Sequence, residues 1–397
     1  MHYRLAAAAL LLFASSASAR DLIVEAGPDA QERLQLALLD AQPGDTVRIG
    51  AGRFELTDGL SLDVDGVTIR GAGPDQTVLS FANQLGAGEG LLVTSDDVVL
   101  RDFAVEDSKG DGIKSKAADR IVYHNVRVEW TGGPSATNGA YGVYPVESSD
   151  VLVDRVVVRG ASDAGIYVGQ SENIIVRNST VEYNVAGIEI ENSRHADVFG
   201  NVATHNTGGI LVFDLPNLPR GNGGDVRVFE NRIVANDTPN FAPAGNIVAT
   251  VPVGTGVLVM ANDNVHVFDN ELAENGTANV MVTSYRENYV DAEYDPLPRR
   301  VVIRDNRHGR TGFAPGIPGG EALAAALGGA LPPVLWDGVG PAASLRLEDA
   351  VPALSMGLTP GAPLTQADPR PVDLSGGMDA PEPPAVRLPE AMEAAAR

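Results

Sequence analysis

A glycine followed by a β-branched residue recurs along the chain and limits its fold more than any other feature. The pair stands at Gly112-Ile113, Gly142-Val143, Gly165-Ile166, Gly187-Ile188, Gly209-Ile210 and Gly256-Val257. The spacings are 30, 23, 22, 22 and 47 residues, a unit of 22 or 23 with two expansions. Each unit continues with a second apolar strand, as in Asn173-Ile174-Ile175-Val176, and a third after Asn or Asp, as in Asn178-Ser179-Thr180-Val181. Three short strands per unit cannot bury an apolar face alone, whereas stacked units can. The pattern predicts an all-β fold, a single-stranded right-handed parallel β-helix with inward Ile, Val and Leu forming one continuous core. The recurring Asn178, Asn201, Asn231, Asn270 and Asn306 predict an asparagine ladder. Asn tolerates a left-handed turn, and its amide can bond its counterpart on the next coil.

Outside the repeat the chain changes character. Arg4, the apolar run Leu5 to Phe13 and Ala17-Ser18-Ala19 read as a secretory signal, residues 1–19, cleaved after Ala19. The mature protein is expected in the periplasm or outside the cell. The apolar run is too short to span a bilayer, and no later segment reads as a membrane helix. Residues 20–309 are the expected β-helix domain. Within it Asp29 to Leu39 has a helical pattern that would cover the open N-terminal end of the solenoid. Residues 310–397 are rich in Pro, Gly and Ala. They are expected to form a C-terminal cap, with one short helix at Glu321 to Leu327, and a flexible low-complexity tail from Asp368.

Composition removes several function classes. The net charge is −23, from 29 Lys plus Arg against 52 Asp plus Glu, which argues against phosphate-backbone binding and hence against a nucleic-acid partner. The absence of Cys excludes disulfides, thiolate metal sites and thiol catalysis. A monomer is expected.

Strand side chains alternate, so in Gly-Ile-X-Val the residue X points outward. Taken coil by coil, X is Lys114, Tyr144, Tyr167, Glu189, Leu211 and Leu258; the next outward position is Lys116, Val146, Gly169, Glu191, Phe213 and Met260. The turn before this face adds Asp111, Tyr141 and Asp163. Lys109, Lys114 and Lys116 are the chain's only lysines, and two of them lie on the stripe. A generic surface lysine merely pairs with a neighbouring carboxylate; a titratable stripe with insertions beside it is also a site candidate. Trp130 to Ala140, Leu215 to Gly224 and Asp237 to Gly254 are insertions placed to wall a groove. Pro145 interrupts strand hydrogen bonding beside Tyr144.

With this repeat the sequence resembles the secreted right-handed β-helix proteins that include pectate lyases, alginate lyases and mannuronan C5-epimerases. The segments Gly160 to Ser171, Asn184 to Ser193 and Gly209 to Pro216 further resemble a bacterial family of exported parallel β-helix repeat proteins. The resemblance implies a c-type cytochrome as a candidate periplasmic partner, because members are often encoded beside a dihaem cytochrome. The Asp-Pro-His-Asp motif of the epimerases and the Gly-His-Gly motif of polygalacturonases are absent.

Three readings follow. In uronate lyase or C5-epimerase chemistry on a polysaccharide or oligosaccharide, Lys114 or Lys116 neutralises the sugar carboxylate and Tyr144 and Tyr167 act as base and acid. The ammonium would lower a phenol's pKa, and Asp163 and Glu189 complete the catalytic set. Asp111, Lys116, Tyr141, Glu191, Phe213 and Asp214 would then bind substrate. In an inverting glycoside hydrolase, Glu189 and Glu191 are the paired acids. In a non-enzymatic scaffold the aromatic residues bind glycan or a partner. Calcium is the candidate helper ion; no His pair among His124, His195, His205, His266 and His308 has metal-ligand spacing, and no protein-bound metal is expected.

Overall fold

The computed structural model describes residues 19–86 and 88–397, so the expected signal segment lies almost wholly outside the described residues. The described chain coils into three sheets of 12, 12 and 10 strands. The first sheet runs from Asp21–Val24 to Leu345–Leu347, the second from Leu60–Leu62 to Arg370–Val372, and the third from Gly52–Glu55 to Arg307–His308. Strand pairs are parallel except the last, Ala353–Ser355 with Arg370–Val372. Each strand pairs with its counterpart one coil away, as the repeat requires.

Register places like residue on like. Ile113, Val143, Ile166, Ile188, Ile210, Val257 and Val280 form one inward row without solvent exposure. Such a row removes β-branched side chains from water at about 25 cal/mol per Å², and that burial drives the coiling. The repeated glycines open the second-sheet strands where neighbouring coils approach most closely. A Cβ on Gly165 would lie 2.9 Å from the Gly187 carbonyl oxygen, and one on Gly187 2.5 Å from that of Gly209.

The asparagine ladder is present with one change. Asn201, Asn231, Asn270 and Asn306 are linked amide to amide at 2.9–3.0 Å. Asn178 is outside the ladder: its amide bonds Asp154, while the backbone N–H of Ser179 donates to Asn201. A second ladder runs through Asn184, Asn206, Asn236 and Asn275 at 3.0–3.1 Å.

The ends also depart from expectation. Helix α1 (Ala30–Asp40) buries Ala30, Leu34 and Leu38 over the N-terminal end, as its pattern implied. At the other end the stack continues past residue 309 through Val334–Trp336, Leu345–Leu347 and Ala353–Ser355. Helix α2 (Gly320–Ala326) does not cap the coil end. Its Ala324 joins an apolar cluster outside the second sheet with Leu335 and Leu358. The final segment is docked where a loose tail was expected. Helix α3 (Glu390–Ala395) seats Met392 against Val122, Leu152 and Ile175 of the first sheet. The composition that predicted looseness leaves enough apolar and charged side chains to match an outer face. Among the described residues no helix is long and apolar enough to cross a membrane.

Candidate functional site

The outward stripe lies on the second sheet, in the predicted register. Lys114 pairs with Leu92 and Tyr144, Tyr167 with Glu189, Glu189 with Leu211, and Leu211 with Leu258. Lys116, Val146, Gly169, Glu191, Phe213 and Met260 form the adjacent column. Three zones succeed one another along it: an open end, a covered carboxyl cluster and an apolar end.

Lys114 sits at the open end. Its Nζ is 3.3 Å from Glu89, 3.7 Å from Asp111 and 4.7 Å from the centre of the Tyr144 ring. Burial raises the Asp111 carboxyl to about 6, with Lys114 opposing. Burial, followed by the charge of Asp111, raises the Tyr144 phenol to about 12. A cavity of about 200 Å³ adjoins this group, lined by Ser61, Gln84, Glu89 and Leu92 among others. Ser61 and Leu92 continue the Lys114 column toward the N-terminus. The sequence reading missed this cleft, although Gly59-Leu60 and Gly90-Leu91 carry a weaker form of the repeat signal.

The middle zone is buried. Asp163, Tyr167, Glu189 and Glu191 are each less than a tenth exposed, and Glu189 only 1%. Asp163 Oδ1 and Glu189 Oε1 have no hydrogen-bond partner. A buried carboxyl without a cation keeps its proton. Burial, opposed by the Tyr141 hydroxyl, raises Asp163 to about 7; burial, opposed by Tyr167, raises Glu191 to about 7. Burial and the charges of Asp163 and Glu191 hold Glu189 well above the ordinary carboxyl range. Tyr141, Tyr144 and Tyr167 form one aromatic group with ring centres 4.5–4.8 Å apart. The Tyr167 side chain lies over Gly169, where a Cβ would stand 2.2 Å from its hydroxyl.

These facts correct three expectations. The tyrosines are not activated bases: burial first, then neighbouring carboxylates, raises the Tyr141 and Tyr167 phenols as well, and Lys114 does not offset this. Glu189 and Glu191 are enclosed, which leaves no room for the sugar and water that an inverting pair must hold between them. The insertion Asp237 to Gly254 forms a lid rather than a groove wall. It places Val248 and Val251 on Leu211 and Leu258 and brings the Asn246 amide 3.5 Å from Asp163.

The lid also covers Phe213, which is 2% exposed and offers no platform to a sugar. Asp214 is structural: it accepts from Gly223 N at 2.6 Å and Asn262 Nδ2 at 2.8 Å, closing the Leu215 to Gly224 insertion. Lys116 is exposed and lies 3.8 Å from Glu147, a surface pair. The described histidines stand on different strands or turns. His124, His205 and His308 each bond one Asp, and His195 lies near Glu172 and Asp225.

Residues 58–218 and 135–295 match the family model described as the right handed beta helix region. The chain belongs to that family. No protein of curated function matches this β-helix chain by sequence. Among solved structures it is similar to the A-module of mannuronan C-5 epimerase AlgE4 from Azotobacter vinelandii. The TM-score is 0.52 with 15% identity, over 83% of this chain and 94% of that one. The A-module of AlgE6 from the same organism gives 0.51 with 16% identity, over 79% and 87%. At such identity the likeness shows a shared β-helix fold.

Proposed function

We propose that this β-helix protein acts on a uronate-bearing polysaccharide at the open end of its stripe, by abstracting the proton at C5. One observation carries the reading: a single ammonium, Lys114, lies beside both Asp111, a carboxyl raised by burial to about 6, and the ring of a protonated phenol, Tyr144. Removing a C5 proton needs a cation on the sugar carboxylate, a base and an acid. Lys114 meets the carboxylate, with Glu89 and Asp111 holding it in place. Asp111 takes the proton, since its affinity lies close to working pH. Tyr144 supplies a proton. If it goes to the leaving oxygen as the C4–O bond breaks, the enzyme is a lyase; if it goes back to C5 from the other side, an epimerase. The neighbouring cavity gives the next sugar a seat beside Ser61 and Leu92. The two structurally similar modules are themselves named as mannuronan epimerases, which supports a polysaccharide of this class.

Among the described residues no group of three or more His, Asp or Glu side chains has an arrangement able to hold a metal. Lys114 is the cation that meets the sugar carboxylate, and calcium would enter with the polyanion. The test is NMR of polyuronates incubated in D₂O with the enzyme. Deuterium at C5 (epimerase) or a 4,5-unsaturated product that has lost its C5 proton (lyase), either of them lost in Lys114→Ala, is the expected result. Absence of both C5 deuterium and unsaturated product across mannuronate, guluronate and galacturonate polymers, with folded protein, would overturn the reading.

A further inference from the structure

The outer face of the first sheet carries a second charge ladder, and the C-terminal segment lies along it. Arg177, Arg227 and Arg304 stand on alternate coils; Arg177 and Arg304 share a register column with Phe199, Phe229 and Phe268, and Arg227 lies two residues along its strand from it, so successive Cα atoms are roughly 12 Å apart. Each guanidinium has one carboxylate from the coils or their turns: Asp154 at 3.1 Å, Asp197 at 2.5 Å and Asp305 at 2.8 Å. Each takes a second from the C-terminal segment. Glu393 lies 2.8 Å from Arg177, and Glu382 bridges Arg227 at 2.9 Å and Arg304 at 2.6 Å. His266, on the coil between those two arginines, is 2% exposed and neither ring nitrogen has a partner. Burial, then the charges of Arg304 and Arg227, lowers it to about 4 despite Glu382 nearby.

We propose that this face is a second binding site, for a polyuronate chain, and that the C-terminal segment is its internal occupant, with Glu382 and Glu393 in the places of two ligand carboxylates. Cations at constant pitch along a solenoid match a linear polymer whose carboxylates also recur at a constant interval. An acidic peptide would need its acids placed by sequence to do the same. The strap, residues 379–389, is the lightly held part of the segment. It is held to the coils by the two bonds that Arg227 and Arg304 donate to Glu382 and by one from Val386 N to Asp197 at 3.0 Å; the helix beyond adds bonds from Arg177 to Glu393 and from Arg101 to the carbonyls of Ala395 and Arg397. A segment laid on an outer face without strand pairing to the coils opens more cheaply than a coil unwinds. Once it leaves, one edge of each guanidinium and the unpartnered imidazole face the incoming carboxylates. The ligand class rests on the reading of the Lys114 cleft; the carboxylate ladder itself does not.

The test uses the full chain carrying Lys114→Ala, so that failure of the cleft reading leaves this result intact. Fluorescent oligomannuronate and oligogalacturonate are titrated at low salt against Glu382→Ala/Glu393→Ala and its parent, with hydrogen exchange of residues 380–397 measured in parallel. Loss of three partly exposed ion pairs should loosen the segment and tighten oligouronate binding about tenfold. Adding Arg227→Ala should cancel the gain. A loosened segment without tighter binding would overturn the proposal. So would unchanged exchange, a gain that survives Arg227→Ala, or a poly-glutamate peptide that binds as well as the oligouronates.

Discussion

The two outer faces of this solenoid have the same coil spacing and are both covered by later chain, yet their charges behave in opposite ways. On the second sheet Asp163, Glu189 and Glu191 stack on neighbouring coils with no cation among them, and two of their oxygens are unpartnered. Their carboxyls are raised, chiefly by burial. On the first sheet Asp154 and Asp197 alternate with Arg177 and Arg227. Burial of Asp154 is outweighed by bonds from His124, Asn178 and Arg177, and its carboxyl is lowered. A paired ladder stabilises the coil, whereas an unpaired one stores free energy that only protonation or a ligand releases. The difference marks the second sheet as the face where stability is given up, as functional sites commonly require.

The largest effect should come from the one cation at the edge of the unpaired face. Lys114→Ala should lower C5 exchange about 10²- to 10³-fold, the usual cost of removing a charge-stabilising donor. Tyr144→Phe should lower it by about 10² or more, as loss of a general acid does. Single-turnover rates check both. If Lys114→Ala changes KM alone, the ammonium binds substrate without stabilising the transition state, and the unpaired face loses its catalytic meaning.

The pH dependence of stability should separate the faces directly. Asp163 and Glu191 bind protons more tightly folded than unfolded, so their contribution is fullest below about pH 4 and is lost as pH rises to about 7. For Glu191 the loss is on the order of 3 kcal/mol. Asp154 has the opposite sign: its contribution is present above its unfolded value near pH 4 and lost in stronger acid. Calorimetry should therefore find Tm falling between pH 5 and pH 8. Glu189→Gln should raise Tm at pH 8 and leave it nearly unchanged at pH 5. A Tm that rises over that interval, or a destabilised Glu189→Gln at pH 8, would show that the cluster is paired by something else.

The architecture was legible because the glycine repeat is dictated by backbone contact, and contact between coils leaves a strict period. The outward columns from Lys114 to Met260 followed from that period alone. Depth did not, because whether Glu189 or Phe213 meets solvent depends on where Asp237 to Gly254 folds back, and an irregular insertion carries no period. The Lys114 column could be read, but its extension to Ser61 was hidden because Leu stands where the other coils have Ile or Val. The docking of Met392 on Leu152, across most of the chain length, leaves no local signal at all.

Both faces stand on the asparagine ladders, so breaking a ladder should cost them together. Asn206 is fully buried, donates to Asn236 Oδ1 and to the Val181 carbonyl, and accepts from Asn184. Asn206→Ala strands those groups and should cost about 2–3 kcal/mol at any pH. Asn178→Ala, outside the ladder, should cost about 1 kcal/mol and act on the first sheet alone through Asp154. Urea midpoints at pH 5 and pH 8 distinguish a loss common to both conditions from one confined to a single face.

The smallest effect falls to the neighbouring lysine. Lys116 and Lys114 are two apart on one strand and both point outward, but Lys116 has a side chain 53% exposed and pairs with Glu147 at 3.8 Å, itself 38% exposed. Water screens such a pair, and it is worth within about 0.5 kcal/mol. Lys116→Ala should leave Tm within about 2 °C and C5 proton abstraction within about twofold of the parent, against the loss expected for Lys114→Ala. The side chain of Lys114 is only 23% exposed and has two carboxylates and a phenol ring around it. Equal effects of the two substitutions would mean that net positive charge on the strand, rather than the position of one ammonium beside Asp111 and Tyr144, governs what this face does.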